Sequence, residues 1–141
     1  MNGSPFLTGI DNTIKNRSAI KLNGQTDEAL LEGLDATLRH YNQGGFAMSH
    51  LKADNRFRSL LKDLVDDMEI LLNSTMRDEH APEAERNHRT IEERVRATFN
   101  NLPYKIIPRI MIDYLVTFVV WTMNLFPVKG GVYPAIMGPG L

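Results

Sequence analysis

"RDEHAPEAERNHRTIEERVRATFNNLPY", Arg77 to Tyr104, is the stretch on which the reading of this 141-residue chain turns. Pro82 suits the first position of a helix, where its missing N–H costs nothing. Ala84, His88, Ile91, Val95, Phe99 and Leu102 then recur at helical spacing and define an expected apolar face. Pro103 stops the helix. Beside that face runs the stripe Glu85, Arg89, Glu92, Arg96. Two i,i+4 pairs, Glu85–Arg89 and Glu92–Arg96, each worth roughly 0.2–0.5 kcal/mol, explain the stripe as a solvated, salt-bridged surface. The other reading gives one of its carboxylates a chemical task. Sequence spacing leaves both open.

Neighbouring histidines do not sharpen the choice. His80, Glu83 and His88 lack the H-E-x-x-H spacing of a helical zinc site. His88 falls on the apolar face and is expected to be a packed core histidine.

Upstream, Pro5–Ile10 and Ser18–Leu22 read as two strands joined by a polar turn over Asp11–Arg17. Thr26 suits a helix N-cap, with Asp27 and Glu28 at the positive end of the dipole. Leu30, Leu31, Leu34, Leu38 and Tyr41 mark that helix's face, and Gly44-Gly45 ends it. A strand is expected within Phe46–Asp54, a helix over Phe57–Met68 and a short strand within Glu69–Thr75. Strands alternating with helices predict an α/β layer structure, partly parallel, with an antiparallel hairpin at one side.

Downstream, Ile110–Phe126 is apolar but for a few positions, and it contains Asp113. A spanning helix needs about 20 apolar residues, and a carboxylate inside a lone span is costly. A core or interface helix is therefore expected, with no membrane partner. The tail from Pro127 is turn-rich and expected to be irregular.

Composition sets the outer limits. Hydrophobic residues make up 43% and charged ones 23%, as in an ordinary single domain. There is no cysteine, which excludes disulfides and thiolate zinc sites. The start lacks a basic region followed by a long apolar run, so an intracellular location is the expectation. The net charge is −1, yet the segment from Arg86 to Arg109 holds six Lys or Arg against Glu92 and Glu93. A locally basic segment can meet phosphates even when the total is acidic. No phosphate-binding loop, nucleophile elbow or dinucleotide fingerprint is present. Asp54 follows a predicted strand and precedes a predicted helix. It reads either as an N-cap or as a carboxylate at the strand end where α/β sheets collect ligands.

Taken together, "KADNRF" and "APEAERNHRTIEERVRA" resemble the catalytic core of copia-type retrotransposon integrases, which have a ribonuclease H-like fold. Asp54 and Phe57 match a strand-end Asp followed by an aromatic. Ala84, Glu85, Arg86, Arg89, Thr90 and Ile91 match a later Ala-Glu-Arg helix. The stretch from Asn100 to Val132 resembles the family's continuation into an Asn-x-Phe-Pro step and a Gly-rich turn. The resemblance implies a mixed sheet flanked by helices, with residues 1–104 a partial catalytic core and 105–141 its C-terminal helix and irregular tail. It also implies the family's chemistry, DNA integration by a DDE polynucleotidyl transferase. There Asp, Asp and Glu hold two divalent ions, Mg²⁺ or Mn²⁺, for in-line phosphoryl transfer. On this resemblance Asp54 is the second acid and Glu85 the third, both catalytic and metal-binding. Arg86, Arg89, Arg94 and Arg96 would meet DNA. Homo-oligomers are a possible assembly, and in a eukaryotic host the chain would work in the nucleus.

The sequence also departs from the family. The first Asp belongs to a strand that would precede Met1, so that strand is expected to be missing or incomplete. Asn87 stands at a commonly basic position, and Arg56 where a small or acidic residue is usual. The expectation is a fragment of an integrase core, inactive alone, or else a non-catalytic nucleic-acid-binding or oligomerising module with the same fold.

Overall fold

The structure is a computed structural model, and it describes residues 3–48, 50–53, 71–74 and 82–126. The expected helix over Phe57–Met68, Asp54 itself and the tail from Pro127 lie outside the described residues.

The chain begins with a hairpin of β1 (Phe6–Ile10) and β2 (Arg17–Lys21), paired antiparallel from Phe6↔Lys21 to Ile10↔Arg17. Its turn is built by Asp11, whose Oδ1 accepts the backbone N–H of Thr13 at 2.8 Å and of Ile14 at 2.7 Å. This is a side-chain mimic of a backbone turn, the habit that favours Asp at such places. Lys15 takes a left-handed φ of 58° to bring the chain back.

Helix α1 (Asp27–Gln43) starts where the sequence predicts. The Thr26 hydroxyl accepts the Ala29 N–H at 3.3 Å. Ala29, Leu30, Gly33, Leu34, Thr37, Leu38 and Tyr41 are its buried face, set against the hairpin. Gly33 permits that approach, since a Cβ there would run into Leu22 and press on Leu7. Tyr41 closes the far end by donating its phenol to the Asn16 carbonyl at 3.3 Å. Burial first, and then the Asp11 carboxylate, push this phenol's pKa up to about 12.

Two short strands follow, β3 (His50–Ala53) and β4 (Leu71–Ser74), paired parallel. Both fall inside the predicted stretches but are shorter. Among the described residues the strands form two separate two-stranded sheets, one antiparallel and one parallel. The fold is mixed α/β, as expected, but the described strands do not join into the single mixed sheet that the resemblance implies.

Helices α2 (Pro82–Asn100) and α3 (Arg109–Leu125) cover the other face of the hairpin, α2 over β1 and α3 over β2. Strand periodicity makes this division, because successive side chains leave a strand on opposite faces. Phe6 and Ala19 point to α2 and α3 and pack on Ile91, Val95, Val116, Val119 and Val120. Ile91 and Val116, both fully buried, sit at the centre of this core.

Helix α3 is an interface helix in part only. Val116, Val119, Val120 and Asn124 are buried, while Ile110, Tyr114 and Phe118 stand 51–69% exposed on the other side. Among the described residues, no helix is long and apolar enough to cross a membrane.

Candidate nucleic-acid interface

Helix α2 carries the candidate residues, so its rotation decides what they can reach. Its buried residues are Asn87, Ile91 and Val95, an i, i+4, i+8 stripe. The expected face is centred roughly 40° away around the helix. Ala84 is exposed and His88 only half-buried, so His88 is not a core histidine. Its Nδ1 lies 3.3 Å from the Thr8 hydroxyl and its Nε2 3.6 Å from Glu92.

The displacement has a physical cause. Asn87, a polar residue, belongs to the stripe buried against the hairpin and is 3% exposed. Its Nδ2 donates to the Gly9 carbonyl at 3.2 Å, and its Oδ1 accepts from Arg17 Nε at 3.0 Å. A buried amide satisfied on both ends costs little and fixes the helix rotation. Pattern reading that counts only apolar residues passes over such a position. The 87, 91, 95 spacing was the available signal.

At about 100° per residue, Glu85 lies roughly 120° around α2 from the buried stripe, on its solvent side. It is exposed in the helix's first turn, where the dipole favours a carboxylate. Arg86, Arg89 and Arg96 share this side and are exposed. Arg96 reaches Glu92 at 3.8 Å, one of the two expected i,i+4 pairs. Arg94, also exposed, lies roughly 160° around the helix from Arg96, at the flank next to β2. There it faces Arg17, whose guanidinium is lowered in pKa by burial first and by the Arg94 charge second. The four arginines therefore spread over roughly 160° of the helix surface, with Arg86 midway between Arg96 and Arg94. Beyond α2, Lys105 is exposed, whereas Arg109 donates to the Gly3 carbonyl at 2.6 Å and to the Ser4 hydroxyl at 3.3 Å.

No group of three or more His, Asp or Glu among the described residues could hold a metal ion. Glu83 turns instead to Lys15 at 3.4 Å. One exposed carboxylate on a helix is a hard oxygen donor, but divalent cations of this class need several such ligands. The described residues by themselves do not fit a Mg²⁺ or Mn²⁺ site, and Asp54, the ligand expected to join Glu85, lies outside them.

Asn124 is the second buried polar residue that apolar periodicity does not reveal. It caps the outer edge of β2, with Oδ1 accepting the Arg17 N–H and Nδ2 donating to the Arg17 carbonyl, both at 2.9 Å. Nearby, Lys21 of β2 pairs with Asp113 of α3. That hydrogen bond is the main reason the Asp113 carboxyl is held below its ordinary pKa.

No protein-family profile matches the sequence, and no curated protein matches it. Solved structures do. The HTLV-2 integrase catalytic core domain in complex with magnesium aligns with TM-scores of 0.62 in its dimeric and 0.64 in its trimeric form, at 15% and 16% identity. Each alignment covers 93% of this chain and 90% of that domain. The simian T-cell lymphotropic virus intasome, solved in complex with the PP2A regulatory subunit B56 gamma, aligns at a TM-score of 0.63 and 14% identity. That alignment covers 90% of this chain, which spans about half (49%) of the intasome chain. At such identities the likeness establishes the fold alone. This chain has a fold like that of retroviral integrase catalytic cores.

Proposed function

We propose that this chain is a fragment of a copia-type retrotransposon integrase core, ribonuclease H-like in fold, which binds DNA weakly and does not join it alone. The observation that carries the reading is the integrase-core-like fold with Glu85 in the first turn of the helix that packs on the hairpin. The copia-like motif of the sequence gives that position to the third acid. In this reading Asp54 and Glu85 descend from metal ligands, the second and third acids of the family's set. Two carboxylates do not position two divalent ions as three do. Asp54 and Glu85 by themselves would then not support the parent chemistry, Mg²⁺- or Mn²⁺-dependent strand transfer, while the basic residues give affinity for phosphate.

Arg86, Arg89 and Arg96 would supply most of the contact, with Arg94 and Lys105 at its margins. Such contacts read charge and not sequence. Binding should weaken with salt at a slope of about −0.9 per phosphate neutralised. With two or three contacts, the slope should lie between roughly −2 and −3.

The test combines a strand-transfer assay in Mg²⁺ or Mn²⁺ with a salt titration of duplex binding. No transfer is expected, together with a salt-dependent affinity that Arg86→Ala, Arg89→Ala and Arg96→Ala reduce. Metal-dependent transfer abolished by Glu85→Gln would show the chain to be an active enzyme. Absence of DNA binding at low salt would favour the second reading, an oligomerising module that keeps the fold without the nucleic acid.

A further inference from the structure

The bonding parity of the hairpin settles which backbone groups of β1 point outward. In an antiparallel pair, opposed residues alternate between exchanging hydrogen bonds and turning their N–H and C=O away from each other. Asn124 binds both backbone groups of Arg17 from the side away from β1. Arg17 and its partner Ile10 are therefore a pair that does not exchange bonds. Bonds from the Asp11 N–H to the Asn16 carbonyl and from the Leu22 N–H to the Pro5 carbonyl, at 2.9 and 3.0 Å, give the same parity from both ends. It follows that Leu7 and Gly9 bond to β2, and that Phe6, Thr8 and Ile10 turn their N–H and C=O outward. Among the described residues no hydrogen bond is made to these outward groups.

The two edges of the hairpin differ. On β2 the edge is blunted by the Asn124 amide over Arg17 and by the charged Lys21. On β1 the sequence Phe6-Leu7-Thr8-Gly9-Ile10 carries no charge and no proline, the devices that usually keep strand edges apart. The outward residues are also symmetric about Thr8. A two-fold axis there would place Phe6 opposite Ile10 of another copy, and Thr8 opposite Thr8. All three would be bond-exchanging pairs, and aromatic–β-branched and Thr–Thr neighbours stabilise a sheet.

We propose that two copies of this chain associate edge to edge through β1, antiparallel about Thr8, forming a four-stranded sheet β2-β1-β1-β2. The interface is isologous, the self-complementary arrangement of a closed dimer. It does not rest on the nucleic-acid reading, which concerns the outer side of α2.

The experiment is sedimentation over a concentration series with amide-resolved hydrogen exchange on the whole chain. A dimer should grow with concentration, and exchange at Phe6, Thr8 and Ile10 should slow by about tenfold or more as it forms. Exchange at Leu7 and Gly9, bonded within the monomer, should not follow concentration. Thr8→Pro removes an outward N–H and no hairpin bond, and Ile10→Lys puts a charge at the edge. Each should give a monomer in which Leu7 and Gly9 remain protected, and either variant suffices if the other fails to fold. The proposal is overturned by a chain that stays monomeric. It is equally overturned by a dimer that leaves the three amides unprotected, as contact through the apolar side of α3 would. Protection of the three amides at every dilution would also overturn it, because a strand of the same chain would then hold that edge.

Discussion

Replacing Asn124 by alanine tests how the last helix is locked to the hairpin. Asn124 is 7% exposed and spends its whole amide on one residue, accepting the Arg17 N–H and donating to the Arg17 carbonyl at 2.9 Å each. A typical hydrogen bond contributes about 0.5–1.5 kcal/mol net, while a buried backbone group left unpaired costs about 1–3 kcal/mol. Arg17 is half-buried, so water recovers part of that penalty. Asn124→Ala should therefore lose roughly 2–3 kcal/mol. With a urea m-value of about 1–3 kcal/mol/M, the unfolding midpoint should fall by about 1 M at unchanged m. The Arg17 amide should lose its exchange protection at the same time. Asn124→Asp separates the two bonds. It keeps an acceptor for the Arg17 N–H but sets a carboxylate against the Arg17 carbonyl, so the amide should stay protected while stability falls. A loss in Asn124→Ala below about 0.5 kcal/mol, with the Arg17 amide still protected, would refute the reasoning.

Three further substitutions probe the other layers. Ile91→Ala, at a fully buried position between the hairpin and α3, should cost about 2–5 kcal/mol in denaturant unfolding. Thr26→Ala removes the cap of α1 and should cost about 0.5–2 kcal/mol, with Thr26→Ser recovering most of it. Asp113 titrates below its ordinary value in the folded chain because of Lys21. Its contribution is thus complete above the unfolded-state pKa of about 3.9 and disappears as pH falls through the lower folded value. Stability measured against pH should lose part of its acid-side slope in Asp113→Asn, and an unchanged slope would assign the acid dependence to other groups.

The sequence by itself determined the local elements. The Thr26 cap, the Pro82 start of α2, the Gly44-Gly45 end of α1 and the alternation in the hairpin are all set within a few residues of chain. The physics of caps, turns and backbone angles acts over that same range, so it can be read there. The exposed charges of α2 and its Glu92–Arg96 pair were legible for the same reason. Tertiary structure decided the rotation of α2 and the anchoring of α3. Two asparagines that look like surface residues are buried, because their partners are the backbone of Gly9 and Arg17 and the Arg17 side chain, 70 to 107 residues away. No local pattern carries that pairing. It moved His88 off the core and turned Glu85 to the solvent side. It also set Arg94 near Arg17 of β2, since a helix rotation is fixed only when both surfaces it joins are in place. The same holds for the strand edges. Whether Phe6, Thr8 and Ile10 present their backbone to β2 or away from it depends on register, and register is set by the contacts of the assembled sheet and not by either strand alone.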